Sequence, residues 1–186
     1  EVEKKIFTKA SKKKGLLVGI NYNNDNYKND DLNGCENDMV RLSQWIQNKC
    51  HFEESDITTL DSVTATKENM IKEIKELVNF AKANPNSELW FSYSGHGSHY
   101  FSAFEKDNQD EIICPVDYNS AGFISDNWFK SEFVDKLPLD CKLFVIMDCC
   151  HSGSNMDLPY CLNDGLVATR YNVDENEKLA KVIKLS

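Results

Sequence analysis

The hydrophobic pattern divides this chain into short apolar runs and amphipathic stretches. Gly15-Leu16-Leu17-Val18-Gly19-Ile20 is continuous and apolar, which predicts a strand covered on both faces. A polar loop rich in Asn and Asp follows over residues 21–33. Over residues 35–49 the apolar positions Met39, Leu42, Trp45 and Ile46 have the spacing of an amphipathic helix. Residues 57–60 read as a second strand. Thr66 is placed to cap a helix running to about residue 84, with Met70, Ile71, Ile74, Leu77, Val78 and Ala81 on one face and Pro85 as its stop. Residues 89–93 form a third strand that ends in the small-residue turn Ser94-Gly95-His96-Gly97. A short helix is expected over residues 129–137, ended by Pro138. Residues 143–147 make a fourth strand, running into Asp148-Cys149-Cys150-His151-Ser152-Gly153. Strands alternate with helices, so the pattern predicts an α/β fold with a mostly parallel sheet.

Composition narrows the class. The 186 residues are 41% hydrophobic, 11% aromatic and 27% charged, enough apolar surface for a packed domain. No stretch reaches the roughly 20 apolar residues of a membrane span. Net charge is −9, yet residues 1–14 hold six lysines against Glu1 and Glu3, so the body is strongly acidic behind a basic arm. Such a body repels phosphate backbones and favours cationic ligands, which excludes nucleic acid as the expected partner. Seven cysteines without paired CxxC spacing argue against a zinc site and for a reducing, cytoplasmic compartment.

Chemistry concentrates at two strand ends. In open parallel sheets function gathers at the carboxyl ends of strands, and here the third ends near His96 and the fourth near Cys150. A thiol is mostly protonated at neutral pH, so a neighbouring imidazole is what would activate it. Gly95 and Gly97 permit close backbone approach, and the Gly97 and Cys150 amides could face a developing oxyanion. His151 follows Cys150 directly and points elsewhere, and His99 is expected at the surface.

Two motifs carry a resemblance. Tyr93-Ser94-Gly95-His96-Gly97 and Asp148-Cys149-Cys150-His151-Ser152-Gly153 resemble the signatures of metacaspases, caspase-like cysteine peptidases. The similarity continues through residues 15–22, 34–38, 110–117, 122–127 and 157–160, in the family's order. It implies a caspase–hemoglobinase-like sandwich, with a mostly parallel central sheet flanked by helices. His96 matches the family's general base and Cys150 its nucleophile, whereas Cys149 matches a variable position. Metacaspases cleave after Lys or Arg, and the matching pocket positions are Cys35, Asp38, Ser94 and Asp148. Two carboxylates facing a guanidinium make charge-assisted hydrogen bonds. The alternative for Asp38 is a first-turn helix acid favoured by the helix dipole.

The resemblance also implies calcium, held by Asp110, Asp126, Asn127 and Asp157. Hard cations take oxygen ligands, and Asn127 stands where the family usually has a second aspartate. These acids also read as plain loop residues. The expected organisation is a basic arm over 1–13, a catalytic part over 14–160, a linker over 161–181 and the first strand of a smaller part over 182–186. A small-subunit segment would complete the cleft, and Arg170, Lys178 and Lys181 are candidate self-processing sites. Expected partners are protein or peptide substrates with Lys or Arg before the cut. The alternatives are a catalytically inactive caspase-like interaction module, and a redox protein using Cys149 and Cys150, whose adjacency disfavours an unstrained disulfide.

Overall fold

The computed structural model describes residues 11–23, 31–101, 109–149, 160–163, 167–170 and 181–185. Among the described residues the strands, in chain order, are β1 (Lys13–Gly19), β2 (Ile57–Leu60), β3 (Glu88–Ser94), β4 (Gly97–Phe101), β5 (Gln109–Ile113), β6 (Ile124–Ser125), β7 (Lys142–Asp148), β8 (Tyr160–Asn163), β9 (Val167–Arg170) and β10 (Lys181–Leu185). The helices are α1 (Cys35–Cys50), α2 (Lys67–Ala83), α3 (Tyr118–Ala121) and α4 (Asp126–Glu132). The main sheet has the order β2-β1-β3-β7-β10-β8-β9, parallel except for the β8–β9 pair. A second, antiparallel sheet has the order β4-β5-β6.

Both faces of the main sheet are covered, as its apolar strands predict. Along β1, β3 and β7 alternate side chains divide between two cores. Leu16, Val18, Leu89, Phe91, Tyr93, Leu143, Val145 and Met147 join Met70, Ile74, Leu77 and Phe129 beneath α2 and α4. Leu17, Trp90 and Phe144 face the other way, onto Met39, Ile46, Cys50 and Phe52. Trp90 stacks on Phe144 at 5.1 Å and meets Phe52 edge-on, so one large indole organises the α1 face. Burying each such side chain contributes about 1.5–3 kcal/mol.

Helix ends follow their chemistry. The Thr66 hydroxyl accepts from Asn69 N at 3.2 Å and starts α2, and Asp117 Oδ1 takes the Lys67 amide at 2.8 Å. Near Pro85 the helix stops at Ala83. At the opposite end of the sheet from the reactive turns, Glu88 is wholly buried between Lys13 and Lys142, pinning β1 and β7 to β3. Lys13 also sits over the Phe52 ring.

Three details differ from the sequence reading. The helix expected over 129–137 begins earlier, at Asp126, because Ser125 caps the Trp128 amide; Val134–Lys136 is a separate 3-10 turn. The segment after the third strand is the antiparallel β4–β5–β6 sheet, where no strand was expected. The stretch 161–181, read as a polar connection, carries most of β8, all of β9 and the first residue of β10. No helix among the described residues is long and apolar enough to cross a membrane.

Candidate active site

The two reactive turns leave the sheet side by side. β3 and β7 pair in parallel through Ser94 opposite Asp148, and Gly95 N donates to Asp148 O at 3.2 Å. His96 and Cys150 each stand two residues beyond that matched pair. Cys150 lies outside the described residues. Cys149, half-buried, packs against the main core, as a residue filling space beside the reactive turn would.

Gly95 is required where it stands. A Cβ there would meet the Tyr93 hydroxyl at 2.8 Å and the Tyr22 hydroxyl at 3.0 Å. The half-exposed His96 lies against the Tyr22 ring, centroids 4.6 Å apart and tilted by 37°. Its carbonyl accepts from Cys114 N at 3.1 Å, which makes Gly97–Ile113 a pair without direct hydrogen bonds to each other. The Gly97 N–H is thereby directed away from β5, on the open side of the edge strand β4.

On the α1 side of the same strand ends lies a cleft of about 160 Å3, lined by residues that include Asp38, Ser94 and Asp148. Three of the four expected pocket residues thus meet. The fourth, Cys35, joins them through a hydrogen bond to Ser94, whose hydroxyl also lies 3.3 Å from Asp148 Oδ2. Burial holds the Cys35 thiol above its ordinary pKa, and the nearby carboxylates of Asp148 and Asp38 act in the same direction. Asp148 and Asp38 are exposed at the rim, and Asp38 also faces Arg41 Nη1 at 3.8 Å on its own helix. Sequence reasoning missed the apolar walls, Met39, Leu42 and Ile146, and the floor residue Ser92. For Ser92 and Ile146 the signal was the strand alternation itself, since Ser92 and Ser94 on β3, and Ile146 and Asp148 on β7, share the α1 face; for Met39 and Leu42 it was the helical spacing.

Of the expected calcium ligands, Asp126 opens α4 almost fully buried, its Oδ1 accepting from Asn127 N at 2.6 Å, and Asn127 is exposed. The β5–β6 register sets Ile112 opposite Ser125, so Asp110 and the Asp126–Asn127 step continue from the same end of that pairing. Asp157 lies outside the described residues. Among the described residues no group of three or more His, Cys, Asp or Glu side chains is gathered to hold a metal ion.

Residues 13–159 match the family described as metacaspase, peptidase C14 domain. The chain belongs to the metacaspase family. It is 37% identical over 159 residues to Metacaspase-1 of Meyerozyma guilliermondii, covering 81% of this chain and 38% of that protein. It is 35% identical over 161 residues to Metacaspase-1 of Schizosaccharomyces pombe, covering 82% and 37%. A crystal structure of a Geobacter sulfurreducens protein superposes with a TM-score of 0.61 at 26% identity, over 80% of this chain and 56% of that one. The chain therefore spans well under half the length of these metacaspases, and it has the α/β caspase-like fold of the family.

Proposed function

We propose that this metacaspase chain carries the catalytic part of a cysteine endopeptidase that cleaves proteins after Lys or Arg. The observation that supports this best is the Ser94–Asp148 register, from which His96 and Cys150 follow at equal distances along adjacent strand ends. In this reading His96 takes the Cys150 proton, and the thiolate attacks the scissile carbonyl. The Gly97 and Cys150 amides receive the oxyanion. His96 then returns the proton to the leaving amine, whose departure leaves a thioester on Cys150. Water, deprotonated by the same imidazole, attacks the thioester; the acid is released and the proton returns to the thiol.

Specificity rests on the cleft. A basic side chain entering along Met39 and Leu42 reaches Asp148 and Asp38, whereas an acidic one meets like charge. Asp110, Asp126, Asn127 and Asp157 are the residues that would hold calcium, which would supply a positive brace between their segments. Reduced thiols at Cys35, Cys50 and Cys141 support a reducing, cytoplasmic setting. Self-processing at Arg170, Lys178 or Lys181 would follow from the same basic preference; Lys178 lies outside the described residues. The further length of the relatives is where we place the small-subunit segment that completes the cleft. Kinetics on matched peptides ending in Arg, Lys or Asp test the reading. Cleavage of the basic pair alone supports it; no cleavage of any by a protein that includes the completing segment, with calcium present, favours an interaction module.

A further inference from the structure

His96 is held by something the two signature motifs do not explain. Its backbone belongs to a closed ring of hydrogen bonds with two buried tyrosines and Cys114. His96 N donates to the Tyr22 hydroxyl at 3.1 Å, and the Tyr22 hydroxyl donates to Cys114 O. Cys114 N shares its proton between His96 O at 3.1 Å and the Tyr93 hydroxyl at 3.2 Å, and the Tyr93 hydroxyl donates to His96 O at 2.7 Å. The two hydroxyls are also hydrogen-bonded to each other at 2.9 Å, with either able to donate, and the Tyr93 hydroxyl lies 3.1 Å from Cys114 O as well. Both the amide and the carbonyl of His96 are therefore fixed by side chains from β3 and from the segment after β1. Tyr22 does this from a left-handed backbone (φ 55°), a conformation costly for a bulky residue and found where surrounding contacts demand it. Its ring also lies on the imidazole and receives Tyr118 edge-on.

We propose that Tyr22 and Tyr93 are positioning residues that fix the His96 backbone, and through it the direction of the imidazole towards Cys150. This deepens the reading of His96 as general base and rests on it. Neither phenol touches substrate; each acts through His96. The titratable groups around the turn are Tyr22, Tyr93, Tyr118 and the thiols of Cys35, Cys114 and Cys149, with Asp148 beyond Ser94. Burial holds both hydroxyls protonated well above neutral pH, so they remain donors throughout the working range.

The test reads Cys150 directly, without requiring peptidase turnover. In the full chain, iodoacetamide alkylation of Cys150 is followed by mass spectrometry across a series of pH values. Tyr22→Phe and Tyr93→Phe keep the rings and remove the clamp. Each should lower the imidazole-dependent alkylation rate by about ten- to a hundredfold and move its midpoint. Glu88→Gln, at the far end of the sheet, should lower thermal stability and leave the profile in place. Profiles of both tyrosine variants superimposable on wild type, with His96→Ala altered, would overturn the positioning role alone. A His96→Ala profile unchanged from wild type overturns the dyad, and the clamp with it. Should neither tyrosine variant fold, wild-type hydrogen exchange decides: slow exchange at the His96 amide supports the ring, and exchange at the rate of an open loop refutes it.

Discussion

The Ser94 hydroxyl donates to Asp148 Oδ2 at 3.3 Å, across the last matched pair of the two central strands. One hydrogen bond thereby ties the wall of the cleft to the strand that leads to Cys150. Asp148 has an exposed carboxylate rim and a donor behind it that fixes its direction. Replacing it with Ala removes one charge-assisted contact to a guanidinium, and such contacts contribute roughly 1.5–3 kcal/mol. Asp148→Ala should therefore lose about ten- to a hundredfold in kcat/KM on Arg-ended peptides. Matched kinetics on an uncharged peptide should move far less. Equal losses on both would show that Asp148 acts on folding or on the nucleophile instead.

Gly19 sets the distance between β1 and α1. A Cβ there would stand 2.5 Å from Cys35 O and 2.9 Å from Met39 Cβ, against helix backbone that cannot turn aside. Gly19→Ala should push the start of α1 outward, costing about 1–3 kcal/mol by overpacking. Because Cys35, Asp38 and Met39 ride on that turn, KM for basic peptides should rise with it. Denaturant unfolding and KM measured together check the coupling; a stable variant with normal KM would refute it.

Alkaline pH should unfold the chain through its buried acids. Burial pushes the Cys50 thiol from 9.0 up to about 12 and the Cys141 thiol to about 11, and Tyr22 and Tyr93 are raised for the same reason. A group with a raised folded pKa holds its proton more tightly when folded. Its contribution is complete below the unfolded value and is lost as pH rises through the folded one. Melting temperature should therefore be insensitive to these groups below pH 9.0 and fall steadily towards about 12. Cys50→Ala should flatten part of that fall. An unchanged slope would mean that Cys50 ionises as freely in the folded chain as in the unfolded one.

Calcium should bind through the Asp110 and Asp126 segments. Asp126→Asn removes charge while keeping an oxygen at the buried start of α4, and should weaken binding severalfold or more. Titration calorimetry gives the answer directly. Heat from the wild type and a weaker curve from the variant are expected, whereas a silent wild type would leave these as structural acids.

The parallel strands were legible because burial on both faces leaves continuous apolar runs, such as residues 15–20 and 89–93. Thr66 announced α2 by its side-chain chemistry. By contrast, the antiparallel β4–β5–β6 sheet was not readable. β4 is short and polar around His99, and β6 has only two residues, too few to show a period. The start of α4 did have a signal, Ser125 before Asp126, which an apolar count beginning at Phe129 passes over. At the site, the cleft residues came through motif and register, since Ser94 and Asp148 share a face by simple alternation. Tyr22 did not. A single tyrosine after a strand carries no periodicity, and nothing in its identity predicts a positive φ or a hydroxyl turned back onto His96.

The central claim is that His96 activates Cys150 beneath an acidic cleft. A peptide ending in arginine and bearing an electrophilic group tests it most directly, with the adduct located by mass spectrometry. The account predicts labelling of Cys150, sharply reduced in His96→Ala, retained in Cys149→Ala, and absent when the peptide ends in aspartate. Labelling of Cys149 instead, or equal labelling by the arginine and aspartate peptides, would contradict it.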